Sequence, residues 1–204
     1  MTTTTKTTTI DFLRHGEPVG GKKYRGQTDD PLSEKGWAQM RAATAGAQPW
    51  TALVSSPLSR CRAFADWISQ SLALPVQLDP RLAEVRFGVW EGQTAEQLKH
   101  HDPDCIFNFK RDPVAYRPRG AEPLADFHAR VAAAYDDIQQ RHAGQHVLVV
   151  AHAGVIRMAI CHALGLPFEQ AYRINVGSAG MARFKIEQRS GQRFDTLMWL
   201  SKGE

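Results

Sequence analysis

The sequence predicts an α/β fold, in three α/β/α layers around a mostly parallel central sheet, and three observations carry that expectation. Short β-branched and apolar runs alternate with segments of helical period. The run Val147-Leu148-Val149-Val150 is apolar at consecutive positions, as in a strand covered on both faces. It passes directly through His152-Ala153-Gly154 into another helical pattern, the strand-to-helix turn of a parallel sheet. With 204 residues, 43% of them apolar and 23% charged, the chain can bury one sizeable core. A single domain is expected over residues 8–204, behind a disordered, threonine-rich tail at residues 1–7.

In chain order, strands are expected at residues 8–13, 52–55, 146–151, 180–186 and 194–200, where β-branched and apolar residues lie between turn signals. Ser33 is the expected N-cap of a helix to about residue 45, and Ser59 that of a helix to about residue 72. Pro123 suits the first turn of a long helix whose apolar face runs through Phe127, Val131, Tyr135 and Ile138 and which Gly144 ends. A further helix, residues 154–164, should stop at Gly165 and Pro167. The segment 96–122, rich in proline, glycine and aromatics, reads as an insertion able to close over a site.

Composition excludes several classes. The formal charge of +4 is dispersed, with no basic run interleaved with aromatics, which argues against nucleic acid. No run is long and apolar enough to span a membrane. Cys61, Cys105 and Cys161 are odd in number and unpaired in spacing, against a disulfide framework and in favour of the cytoplasm, and a monomer or homodimer is expected. His100-His101 and the pair His142 and His146 lack companion ligands and are expected at the surface, so no metal is implied.

Four segments place groups useful to phosphoryl transfer at element ends: Arg14-His15-Gly16-Glu17, Ser55-Ser56-Pro57-Leu58-Ser59-Arg60, Leu82-Ala83-Glu84-Val85-Arg86-Phe87-Gly88, and Val150-Ala151-His152-Ala153-Gly154-Val155-Ile156-Arg157. Open α/β sheets bind ligands beyond the carboxyl ends of their strands, where the first and last of these fall. A transferring phosphoryl group carries charge on three equatorial oxygens, which planar, permanently charged guanidinium forks fit. A histidine beside arginines is kept neutral and able to attack, and a carboxylic acid can protonate the leaving oxygen. The turn at Ala153 and Gly154 offers amide donors and a helix N-terminus to an anion.

In order and spacing the four segments resemble the histidine phosphatase superfamily, the phosphoglycerate-mutase-like branch, from about Thr8 to the C-terminus. The resemblance implies that His15 becomes phosphohistidine, that Arg14, Arg60 and His152 hold the phosphoryl oxygens, and that Glu84 donates the proton. Arg60, not Arg62, matches by its spacing after Ser55-Ser56, while Glu84 has a simpler reading as an ion-pair partner of Arg81 or Arg86. Tyr24 to Asp29 is similar to the family's substrate loop, which makes Arg25 and Gln27 further expected contacts. Pro18 after Glu17, a missing asparagine before Tyr24, and Ala153, Ala121 and Pro123 depart from the common pattern.

No cofactor is implied, and the expected partner is a small phosphate ester. The segment 25–33 and the bulky residues around Trp90 look most like α-ribazole 5'-phosphate phosphatases of cobalamin assembly. The alternative is a broader sugar-phosphate or phosphoglycerate phosphatase or mutase. A catalytically silent phospholigand-binding protein would normally lack the nucleophile, an arginine or the acid, and all of these are present.

Overall fold

The structure is a computed structural model that describes residues 6–46 and 48–204. Six strands, β1 (Lys6–Arg14), β2 (Ala52–Ser55), β3 (Val76–Leu78), β4 (His146–Ala151), β5 (Met181–Arg189) and β6 (Gln192–Leu200), form one sheet in the order β3-β2-β4-β1-β5-β6. The pairings β1–β4, β2–β4 and β2–β3 are parallel, and β5 and β6 add an antiparallel edge. β1 begins two residues earlier than expected, because Lys6 and Thr7 pair with Gln188 and Glu187 of β5. The rest of the expected tail, residues 1–5, lies outside the described residues. β3 lies outside the expected strands, since three partly exposed residues at a sheet edge carry almost no periodic signal.

Among the described residues, six α-helices, α1 (Glu34–Ala43), α2 (Ser59–Leu72), α3 (Ala95–His101), α4 (Cys105–Arg111), α5 (Leu124–Arg141) and α6 (Ala153–Leu164), complete the layers. Ser33 caps α1 as expected, its Oγ accepting the Gly36 N–H at 3.0 Å. Ser59 does not cap α2. It is the first helical residue, and its N–H donates to Asp29 Oδ1 at 2.7 Å, so a carboxylate from a distant loop takes the capping role. Pro123 occupies the N-cap position of α5, just outside the helix, and α6 starts at Ala153, one residue before the expected start. The segment 96–122 holds α3 and α4, whose Leu98, Ile106 and Phe109 form a small separate core with Trp90.

Alternation along the central strands feeds two cores. Ile10, Phe12, Val147 and Val149 pack with Phe127, Val131 and Tyr135 of α5 and with Ile156 of α6. Leu13, Leu148 and Val150 face the other way, onto Met40 of α1 and Phe64 and Ile68 of α2. Such strands are buried on both faces, which is why they read as unbroken apolar runs.

The register sets where the chemistry can lie. Arg14 of β1 pairs with Ala151 of β4, and Ser55 of β2 with Val150, so three neighbouring strands end together. His15, Ser56 and His152 therefore leave one edge side by side; His15 N–H still donates to Ala151 O at 3.0 Å and Ser56 N–H to Val150 O at 2.9 Å.

Within β1, Asp11 is fully buried and accepts from Trp50 Nε1 at 2.8 Å, from Arg183 Nε and Nη2 at 2.7 and 2.8 Å, and lies 2.9 Å from His146 Nε2. This corrects the expectation for the second histidine pair. His146 serves the buried carboxylate, and His142 is itself buried, with its Nδ1 3.0 Å from Gln145 Oε1. Removing one side of a buried polar cluster leaves the other uncompensated. Asp11→Ala should cost about 2–4 kcal/mol, less than a fully enclosed ion pair because Arg183 can reach water, with Asp11→Asn recovering part of the loss. A urea unfolding midpoint unchanged in Asp11→Ala would refute this role.

Candidate active site

His15 is 6% exposed, and its Nδ1 lies 2.7 Å from the carbonyl oxygen of Gly16. A carbonyl can only accept, so the ring proton sits on Nδ1 and the Nε2 lone pair is left for attack. Burial, then the charges of Arg14 and Arg60, hold the imidazole well below its ordinary range, so it stays neutral. His152 is fully buried, its ring 5.2 Å from that of His15 and edge-on to it. Burial and the neighbouring Arg60 lower it in the same way, and Ser56 Oγ, 2.8 Å from its Nε2, fixes the ring. The loop after His15 is pressed onto α1: a Cβ at Gly16 would stand 2.1 Å from Gly36 O, so only glycine fits.

Arg14 and Arg60 complete a cationic group. Arg60 is wholly buried and donates from Nη1 to Thr28 O at 2.9 Å and from Nη2 to Gly26 O at 3.0 Å. Arg14 donates from Nη1 to Val176 O at 2.7 Å. Among the described residues, the Nε of each is buried without a hydrogen-bond partner. Burial, followed by the nearby Arg157, lowers Arg14 to about 10. Buried donors in that state favour an anion strongly.

Glu84 is 7% exposed, and its carboxylate accepts from Val85 N–H at 3.0 Å and Gly154 N–H at 3.1 Å. Neither simple alternative applies, because Arg81 pairs with Asp79 and Asp137, and Arg86 meets Glu122 through its backbone N–H. A Cβ at Gly154 would lie 2.2 Å from Glu84 Oε1, so the glycine makes room for the acid. The expectation for Gly154 is thereby corrected: its amide donates to Glu84, not into open space. Arg130 of α5 staples the strand-like loop behind Glu84, donating to the carbonyls of Arg81, Ala83 and Glu84 at 2.6, 2.7 and 3.2 Å while forking onto Glu122.

A cavity of about 570 Å³ opens over His15 and is also lined by Arg14, Arg25, Glu84 and Ala153. Arg60 and His152 lie behind that lining, enclosed by protein. Arg25 reaches the wall, but its guanidinium is committed to Asp30 and to the carbonyls of Gly21 and Val19, so it builds the loop. Gln27 does not line the cavity; its amide donates to Glu84 O at 2.7 Å. Arg62 is peripheral, paired with Asp66 on the surface of α2.

Several functional residues had no local signal. Glu91 accepts from the amides of Gly26, Gln27 and Thr28 and from Phe87 N–H, and so holds the loop whose carbonyls grip Arg60. Burial opposes its charge, yet those donors keep it below the usual carboxylate value. Lys22, Lys23, Lys110 and Arg157 also line the cavity. Of these only Arg157 was findable, one helical turn beyond Ala153 on the same face. Lys110 arrives on α4, so the 96–122 segment does reach the site.

Comparison with known proteins follows the same lines. A bifunctional protein of Mycobacterium tuberculosis is 34% identical over 193 residues, 91% of this chain and 53% of the relative. The chain thus spans about half the length of the first curated relatives it matches. Among solved structures, the mycobacterial glucosyl-3-phosphoglycerate phosphatase has a TM-score of 0.84 at 27% identity, over 94% of this chain and 97% of that one. The alpha-ribazole phosphatase from Shigella flexneri has a TM-score of 0.77 at 25% identity, over 95% and 96%. The sequence pattern of branch 1 of the family matches residues 10–198, and with it the chain belongs to the histidine phosphatase superfamily.

Proposed function

We propose that the chain hydrolyses small phosphate monoesters through a phosphohistidine at His15. The observation that carries this reading is the pair of unpartnered, buried guanidinium donors of Arg14 and Arg60 beside a neutral histidine whose Nε2 lone pair is free. Nε2 attacks phosphorus, the bond to the leaving oxygen breaks, and Glu84 gives that oxygen its proton. Water then attacks the phosphorus, Glu84 takes the water's proton, the N–P bond breaks, and inorganic phosphate and neutral His15 result. Arg14 and Arg60 hold the equatorial oxygens in both steps, with His152 against them.

For the substrate, α-ribazole 5'-phosphate is supported by the aromatic rings of Tyr24 and Phe87, 5.3 Å apart, which line the cavity and suit a flat base. Trp90 does not contribute, being buried in the small core. A phosphoglycerate-like acid is the second reading, favoured by the lysines and Arg157 on the cavity wall.

Rapid quench with labelled substrate should trap an acid-labile phosphoenzyme in the native chain and none in His15→Ala; turnover without label in the native chain excludes the covalent route. Glu84→Gln should lose at least about tenfold more kcat on alkyl than on aryl phosphates, because a good leaving group needs little protonation. Arg130→Met, acting by positioning Glu84, should reproduce that leaving-group bias in weaker form, whereas a merely structural role would lower both esters alike.

Because His15 and His152 are held well below 6.5, neither ring should add an acidic limb to kcat/KM near that value once the substrate's own second ionisation, at about 6, is divided out. A residual limb centred near 6.5 would count against a preformed neutral nucleophile. The same shifts make the unfolded chain take up protons that the folded chain refuses, so stability should decline as pH drops below 6.5.

A further inference from the structure

A ring of hydrogen bonds that the proposed chemistry does not use connects His15 and Arg14 through distant parts of the chain, and Gln39 of α1 closes it. The Gln39 side chain is buried, with Oε1 accepting from Glu17 N–H and Nε2 donating to Glu204 Oε2, each at 2.8 Å. Glu17 is the second residue after His15, and its carbonyl is held in turn by the N–H and Oγ of Ser33, at 3.0 and 2.8 Å. One amide thus joins the loop of the nucleophile to residues near the other end of the sequence.

The far side of the ring returns to the same site. Glu204 exchanges two backbone hydrogen bonds with Ser178, each at 3.0 Å, and Lys202 O accepts from Gly177 N–H at 2.8 Å. In the loop held this way, Val176 O accepts from Arg14 Nη1 at 2.7 Å and Ala179 N–H donates to His15 O at 3.3 Å. Among the described residues, the bond to Val176 is the one hydrogen bond that the Arg14 guanidinium makes, so this loop sets its aim. Glycines stand where the two segments cross: a Cβ on Gly177 would collide with Lys202 O, and one on Gly203, at φ +65°, with Ser178 O. Residues 175–178 and Glu204 also wall the cavity over His15.

Few side chains can make this bridge. A backbone N–H only donates and an ionised carboxylate only accepts, so the bridging group needs an acceptor on one side, a donor on the other and the reach of a glutamine. Leucine has neither group, and glutamate lacks the donor. We infer that Gln39 is a positioning residue for phosphate binding: by tying Glu17 to Glu204 it holds the 176–179 loop, and through Val176 O that loop aims the Arg14 guanidinium. This rests on the proposed role of Arg14 as a holder of the phosphoryl oxygens.

Inorganic phosphate, as a competitive inhibitor of aryl phosphate hydrolysis at pH 8, reports on the clamp, because its Ki does not depend on how much of the protein is folded. Gln39→Leu should raise Ki and KM about tenfold, the scale of a buried donor and acceptor left unpaired. The alkyl-to-aryl ratio of kcat, which follows Glu84, should stay as in the native chain. Gln39→Glu keeps the native size but sets two carboxylates against each other, and should raise Ki likewise. Gln39→Glu/Glu204→Gln puts a donor opposite a carboxylate again and should recover most of the loss, which a merely structural role would not do. An unchanged Ki in folded Gln39→Leu, or a double variant no better than Gln39→Glu, overturns the role. Arg14→Met, measured alongside, should raise Ki further than any Gln39 variant. If it alone raises Ki, the clamp stands without Gln39; if it leaves Ki unchanged, the clamp reading falls and the role of Gln39 with it.

Discussion

Enclosing Arg60 completely, with Arg14 and two histidines beside it, is the constraint from which most of this architecture follows. Among the described residues, the one carboxylate within ion-pair distance of Arg60 is Asp29, at 3.8 Å and half-exposed. Its charge is met instead by backbone carbonyls of Gly26 and Thr28, so a loop must be held against a helix start with its oxygens turned inwards. Glu91 supplies that hold by collecting the loop's amides, and Asp29 ties the loop's far end to the first turn of α2. A buried cation thus recruits a loop, and the loop recruits two carboxylates that never approach the reacting atoms.

The parallel sheet gives this cluster its place. With β4 between β1 and β2, and all three ending in register, a one-residue step past each strand end delivers His15, Ser56 and His152 to one spot. The crowding that results is the functional point. Positive neighbours and burial together keep both imidazoles neutral, while the guanidiniums, with their far higher intrinsic basicity, keep their charge at any ordinary pH. Neutral imidazoles and charged guanidiniums can then occupy the same small volume, as the proposed mechanism requires.

How much of this was legible in the sequence depended on whether the cause was local. The expected bounds of β2 and β4, and the C-terminal bound of α2, coincide with the observed ones because an apolar run or a 3.6-residue pattern carries its own boundary signals. The four motif segments named His15, Arg14, Arg60, Glu84 and His152, which the structure brings together. What escaped was set by tertiary contact. Asp29 capping α2 in place of Ser59, His146 turned to Asp11, and Arg130 behind Glu84 each depend on a partner 30 or more residues away. Gln27 and Arg25, expected as substrate contacts, instead brace the site's frame, Gln27 through the Glu84 carbonyl and Arg25 through its own loop, and only the fold shows this.

The position of Gly154 joins these strands of reasoning. At a helix N-terminus its amide would ordinarily be offered to the phosphate, yet here it holds a carboxylate, and the lack of a Cβ lets that carboxylate come within reach. The α6 terminus therefore meets a carboxylate of the chain itself, and in the proposed mechanism anion binding falls to the guanidiniums instead. A division of that kind suits a two-step transfer in which one carboxyl group must give up a proton and then take one back. In the proposed mechanism the groups that hold the phosphoryl oxygens keep one charge state throughout, while Glu84 gives up its proton and recovers it.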